Sequence, residues 1–302
     1  MRWFETPSFD FSKGRTAAYM LSGVLILASL IGITTKGLQY GIDFKGGKEF
    51  VYSFEQPVDA VEVRSELSGP LGSVPEVKRY GDPTDILIRT DNPGDINAVQ
   101  QTIASNLQDL YPDNPATVQQ TNVVGPRFAE DLKRGALNAI LFALVVIFVY
   151  ILIRFKNWTY SLGAVAALFH DVIIVLGVFT LLADLVPFSM QIDQAIIAAF
   201  LTIVGYSLND TVVVFDRIRE NSLIYKTMEH GEMVNRSLND TLSRTVITSV
   251  TTLFVVTVLF IFGGEVLKGF SFALMLGVII GTYSSLFVAS SAVVELKKRL
   301  EL

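Results

Sequence analysis

Apolar runs long enough to cross a bilayer dominate the chain. They lie at about Thr16–Thr35, Gly135–Ile153, Tyr160–Ala183, Ile192–Phe215, Thr245–Phe262 and Phe270–Val294. A hydrocarbon core about 30 Å thick takes about 20 apolar helical residues, so the pattern predicts a polytopic α-helical membrane protein with six spans. The first two runs are separated by a long polar stretch, Lys36 to Arg134. The other connections are short, apart from a polar link from Asp216 to Arg244.

The long polar stretch changes period along its length. Glu49–Phe54 reads as a strand, rich in aromatic and β-branched residues. Val58–Leu67 carries Val58, Val61 and Leu67 near helical spacing, with charges between. Val74–Tyr80 and Asp85–Thr90 are short strands around a Gly81-Asp82-Pro83 turn. Asp95–Leu110 sets Ile96, Val99, Ile103, Leu107 and Leu110 on one helical face, and Ala116–Val124 is a last strand. The order βαββαβ predicts an α+β, ferredoxin-like domain with its helices on one face of the sheet. Three parts follow: 1–35, an N-terminus and first transmembrane helix; 36–134, an external domain; and 135–302, a five-helix membrane domain.

Composition agrees with that division. Of 302 residues, 51% are hydrophobic and 18% charged, too apolar for one soluble domain. There is no cysteine, which excludes disulfides, thiol chemistry and a Cys-based zinc site. Neither a metal nor a cofactor is expected, nor a nucleic-acid partner. The net charge is −5, but the placement of cations says more. Arg2, Lys13 and Arg15 precede the first span; Arg154 and Lys156 lie between the second and third. Arg217, Arg219, Lys226, Arg236 and Arg244 lie between the fourth and fifth, and Lys297, Lys298 and Arg299 follow the sixth. By the positive-inside rule both termini are cytoplasmic and 36–134 is outside, in the periplasm of a Gram-negative host. Lys133 and Arg134 run against the rule, but they follow a translocated domain, where the bias is weak. The first run lacks a small-x-small cleavage site and reads as an uncleaved anchor. No GxxxxGK[ST], HExxH or GxSxG occurs, so no ATPase or hydrolase motif is present and no enzyme activity is expected.

Four polar groups stand out because a bilayer makes them expensive, by about 2.5–3.5 kcal/mol for a central charge on insertion scales. Asn209 and Asp210 lie in the fourth span, with Asp210 seven residues before Arg217 and so about 10 Å inside the boundary. Tyr206 and Thr202 extend this polar stripe. One reading is a hydrogen-bonded helix-packing site; the other is a proton-carrying carboxylate, since burial and a nearby cation pull its proton affinity in opposite directions. Arg244 opens the fifth span at a similar depth, followed by Thr245, Thr248 and Thr252. It is either a boundary arginine reaching for headgroups or the partner cation of Asp210. His170 and Asp171 sit near the midplane of the third span, where Gly163, Ala167 and Asp171 share one face; they form a packed polar pair or a second functional site. Gly277, Gly281, Ser285 and Ala289 recur every four residues in the sixth span and read as helix packing. Asp216, Arg217, Arg219 and Glu220 read as an interfacial ion-pair cluster, and the second Ser-Leu-Asn-Asp-Thr copy at Ser237–Thr241 as coincidence.

Three stretches together resemble a known family. They are Gly41-Ile42-Asp43-Phe44-Lys45-Gly46-Gly47, Ala167-Leu168-Phe169-His170-Asp171, and the long run from Ile203 through Asn209-Asp210-Thr211 and Asp216-Arg217 to Asn221. The chain resembles the SecF family, membrane subunits of the bacterial Sec protein-export machinery within the resistance-nodulation-division superfamily. The resemblance covers essentially the whole chain; the Gly-Gly motif is shared with the sister family SecD. It implies a complex with SecD, contact with the Sec channel and its associated subunits, and unfolded preprotein on the external side. It also implies use of the proton-motive force in late translocation at the inner membrane. The family's proton-transport aspartate and arginine fall on Asp210 and Arg244, while a further essential acid belongs to SecD. His170 and Asp171 match the family pattern.

Three other functions are compatible with parts of this pattern. A proton-coupled exporter of lipids or small molecules would need a pocket in the external domain. A passive scaffold of the translocon would tolerate neutral replacement of Asp210 and Arg244. An intramembrane aspartyl protease would need a Gly-x-Gly-Asp context, which Asp210, preceded by Ser-Leu-Asn, lacks.

Overall fold

The computed structural model describes residues 8–183, 185–186 and 188–300. Arg2 lies outside the described residues, as do the side chains of Lys297, Lys298 and Arg299. Among the described residues, six helices are long and apolar enough to cross a membrane. They are α1 (Phe11–Lys36), α5 (Pro126–Phe155), α6 (Trp158–Leu182), α7 (Gln194–Ile224), α8 (His230–Phe262) and the Leu267–Leu296 span. The last comprises α9 (Glu265–Ser284), a π-helical turn (Ser285–Ala289) and the start of α10 (Ser290–Leu300). Outer faces of α5 and α8 are apolar, with Leu141, Phe142, Val145, Phe254, Val255 and Phe262 exposed. Helices apolar on both faces suit a lipid surround.

The polar link from Asp216 to Arg244 is built mostly from the ends of two helices. Helix α7 continues to Ile224 and α8 starts at His230, so most of the link is helix. Charge does not stop a helix that has left the bilayer, because Arg, Glu and Lys are good helix formers. The second Ser-Leu-Asn-Asp-Thr copy is therefore helical. Its Ser237 and Asp240 hold the Asn221 amide at 3.0 and 3.1 Å, and its Asn239 binds the backbone of Phe9.

Between α1 and α5 in sequence lies a small antiparallel sheet. Its elements are α2 (Ile42–Lys45), β1 (Gly47–Ser53), α3 (Ala60–Ser68), β2 (Glu76–Tyr80), β3 (Asp82–Thr90), α4 (Ile96–Leu110) and β4 (Thr117–Val124). The strand order is β2-β3-β1-β4. Phe50 faces Ile88 in register, and Tyr52 faces Ile86. Alternation sends these four to one face, where Val63 and Leu67 of α3 and Val99, Ile103 and Leu107 of α4 cover them. Asp95 caps α4 by accepting from the amides of Asn97 and Ala98. The apolar face of α3 differs from expectation: Val61 is 75% exposed, and Val63, four residues before Leu67, takes its place.

The other face of the sheet has no helix of its own and meets the α6–α7 connection. Arg89 on β3 donates to Glu49 on β1 at 2.6 Å and to Gln191 at 2.5 Å; the Gln191 side chain also binds Glu76 on β2. Ile88 is fully buried at the centre of the sheet core. Ile88→Ala should cost about 2–5 kcal/mol of local stability. Amide exchange of β1 and β3 in the intact protein should quicken accordingly, while exchange in α7 should not change.

Candidate functional site

Helix α7 presents Ser207, Asp210, Thr211 and Val214 inward, all buried, while Thr202 and Asn209 are exposed. The expected stripe therefore divides, because residues one apart on a helix point about 100° away from each other. Asp210 is 3% exposed. Its Oδ1 accepts from Thr245 Oγ1 on α8 at 3.4 Å, and its Oδ2 has no hydrogen-bond partner among the described residues. Arg244, beside Thr245, is exposed and within electrostatic reach of Asp210, but forms no ion pair with it among the described residues. Tyr206 donates to Ser249 at 3.2 Å, and Ser249 pairs with Thr282 of α9 at 2.6 Å.

One turn away lies a second, fully satisfied cluster. Asp171 Oδ2 accepts from Ser207 of α7 at 2.7 Å and Ser284 of α9 at 2.8 Å. Asp171 Oδ1 lies 2.9 Å from His170 Nδ1, and His170 Nε2 lies 3.0 Å from Ser22 Oγ of α1. Ser22 also meets Tyr283 at 2.9 Å, and Tyr283 donates to the Ala18 carbonyl at 2.6 Å. Four membrane helices thus converge on one His-Asp pair.

Counting hydrogens constrains that pair. The Tyr283 proton goes to Ala18, so Ser22 must donate to Tyr283 for their contact to be a hydrogen bond. His170 Nε2 must then donate to Ser22. The His170 Nδ1–Asp171 Oδ1 contact therefore holds one proton, either on an imidazolium facing a carboxylate or on a carboxylic acid facing a neutral imidazole. In both cases the pair is neutral overall, as a low-dielectric interior favours.

Small residues make this convergence possible. A Cβ on Gly281 would stand 3.0 Å from the Ser207 Cβ, and one on Gly277 would overlap Ile203. A Cβ on Gly177 of α6 would likewise overlap Ser29 of α1. Ser285 is buried and donates to the Thr282 carbonyl at 2.9 Å, where the π-helical turn begins. Gly163 faces the Ala289 carbonyl and Val293. Asp216 pairs across helices with Arg154 at 2.7 Å, and Arg217 with Glu220 at 3.2 Å. Sequence inspection did not single out Ser22, Tyr283 and Ser284 as site residues. The available signal was a serine or tyrosine hydroxyl inside an otherwise apolar span, which becomes informative only once helix neighbours are known.

The family model described as Protein export membrane protein SecD/SecF, C-terminal, matches residues 102–299, and that of the SecD/SecF GG motif matches residues 31–58. The chain belongs to the SecD/SecF family. A protein of Rhodothermus marinus named Protein translocase subunit SecF is 62% identical over 99% of this chain and 96% of its own length. A Haemophilus influenzae protein of the same name is 40% identical over 98% of this chain and 88% of its own. The crystal structure of SecDF from Thermus thermophilus, a translocon-associated membrane protein, superposes with a TM-score of 0.84 at 36% identity. A SecDF structure in a super-membrane-facing form superposes at 0.69 and 34% identity. This chain covers 98–99% of itself in those matches but only 40% of either SecDF chain.

The hydrogen count separates two substitutions at Asp171. Asparagine can donate to His170 Nδ1 through Nδ2 and accept from Ser207 and Ser284 through Oδ1, so Asp171→Asn should keep the thermal stability of the purified protein. Asp171→Leu strands three buried partners and should cost about 3 kcal/mol or more. Equal melting temperatures for the two variants would contradict the assignment.

Proposed function

We propose that this chain acts as its named relatives are described, as a SecF-type subunit of the Sec protein-export machinery. In this reading it works with SecD and uses the proton-motive force to promote late preprotein translocation. It is a multi-pass membrane protein of the bacterial inner membrane. Its termini are cytoplasmic, and its sheet is a ferredoxin-like domain on the external side, where it meets the emerging, unfolded preprotein. The strand order β2-β3-β1-β4 supports the ferredoxin-like reading.

The observation that carries the mechanism is Asp210, a buried carboxylate that among the described residues has a single long hydrogen bond and an open Oδ2. Such a group gains a proton without breaking a satisfied network. Once ionised, it draws the Arg244 guanidinium inward, past Thr245 on the same helix. Protonation releases Arg244, and α7 and α8 shift against each other. One elementary charge crossing 100 mV supplies about 2.3 kcal/mol. A few protons per stroke therefore bias a rearrangement of a few kcal/mol. His170 and Asp171 serve as a second proton-holding group in the same bundle, and Asn209, exposed beside Asp210, faces the partner or the proton's entry route.

Asp210→Asn should abolish gradient-dependent stimulation of export in membrane vesicles while the complex with SecD assembles normally. Stimulation equal to that of the unaltered complex would leave only a scaffold. Arg244→Ala should reduce the same stimulation at least several-fold, and a lysine at that position should restore part of it, because the charge returns without the guanidinium fork.

A further inference from the structure

The Gly41–Gly47 motif takes no part in the reaction at Asp210, yet it touches the outer end of the helix that carries Asp210. Gly41 N donates to the Ile192 carbonyl at 3.0 Å, and Ile192 N donates to the Gln39 carbonyl at 2.7 Å. Tyr40 and Ile192 so form a short parallel bridge. Two residues on, the Asp43 carboxylate accepts from Gln194 N, the first amide of α7, at 3.0 Å. Asp193 caps the same helix end by accepting from Ile196 N. Phe44, buried, fills the apolar cluster of Phe188, Met190, Ile192, Ile196 and Phe200 around that end.

The motif's other end is equally fixed. Gly46 and Gly47 have φ of +77° and +139°, a region that disfavours other residues. A Cβ on Gly46 would lie 3.1 Å from the Pro126 backbone, where α5 starts, and one on Gly47 would lie 2.9 Å from the Thr90 carbonyl. The chain then runs directly into β1, an inner strand of the sheet. Seven residues thus connect the outer end of α7 to the sheet, each side held by backbone contacts. Asp210 lies sixteen residues down α7, about 24 Å at 1.5 Å per residue.

We propose that Gly41–Gly47 is a rigid joint that delivers axial movement of α7 to the external sheet, with Asp43 as the positioning residue that keeps the joint closed. This rests on the proton-driven reading above. A helix with a loose outer end would relax at its first turn instead of moving the sheet. The Asp43 cap and the Tyr40–Ile192 bridge prevent that slack. Asn also accepts at a helix N-terminus, whereas Ala does not.

The absence of native cysteine permits a direct test in membranes holding the intact complex. Tyr40→Cys and Ile192→Cys place thiols on paired residues. With Asp43 present, oxidation should cross-link them almost completely, with or without a proton gradient. Asp43→Ala should slow cross-linking several-fold, and Asp43→Asn should not. Export is the second readout. Asp43→Ala should lower gradient-dependent stimulation several-fold at unchanged complex level, oxidation of the thiol pair should restore it, and reductant should remove it again. Cross-linking insensitive to Asp43→Ala, or loss of stimulation on locking the pair in the otherwise unaltered chain, would overturn the joint. A complex that never responds to the gradient overturns the proton-driven reading instead, and cross-linking still reports on the joint.

Discussion

Charge burial in a medium without water governs this molecule. A carboxylate among acyl chains and packed helices must be paired, neutralised or functional. The two buried acids show two solutions. Asp171 has hydrogen-bond partners on α6, α7 and α9, and its hydrogen bonds together with those of His170 reach α1. Among the described residues, Asp210 has Thr245 on one oxygen and no hydrogen bond on the other. The first arrangement ties four helices together; the second leaves a carboxylate oxygen without a hydrogen bond among the described residues.

Helix packing brings the partners of those acids together. Ser207 and Ser284 meet at Asp171 where Gly281 lets α9 come close to α7, and α1 packs against α6 where Gly177 admits Ser29. Small residues bring the backbones together, and the resulting hydrogen bonds hold them. Helix α7 is the shared element. It contributes Ser207 to the closed cluster and Asp210 to the open one, and its outer end is held by Asp43 and the Tyr40–Ile192 bridge. Asp210 and the contacts that hold the Gly41–Gly47 segment therefore lie on one helix.

Much of this was legible in the sequence, for identifiable reasons. Six spans follow from run length, and the strands and helices of the sheet from changes of period. Asp210 and the His170-Asp171 pair attract notice because charge is rare in an apolar run. The partners did not show. Ser22 and Ser284 are more than 250 residues apart in sequence, and nothing local marks them as neighbours. Val61 looked like core because it is apolar, although its angular position on α3 turns it outward. Arg244 reads as a natural partner of Asp210 from depth alone, but a shared depth leaves rotation about the helix axis undetermined, and its side chain is exposed here. The helices within the polar link did not show either, because hydropathy reports where a helix leaves the membrane, not where it ends.

The central claim is that the Asp210 carboxyl changes protonation during work. Isotope-edited infrared difference spectra of the intact complex in vesicles, recorded before and after imposing a proton gradient, read that carboxyl directly. A carboxyl that titrates during work gives a protonated-acid carbonyl band that rises and falls with the gradient and is missing from the Asp210→Asn protein. A band whose intensity stays constant across the range in which export responds to the gradient would contradict it.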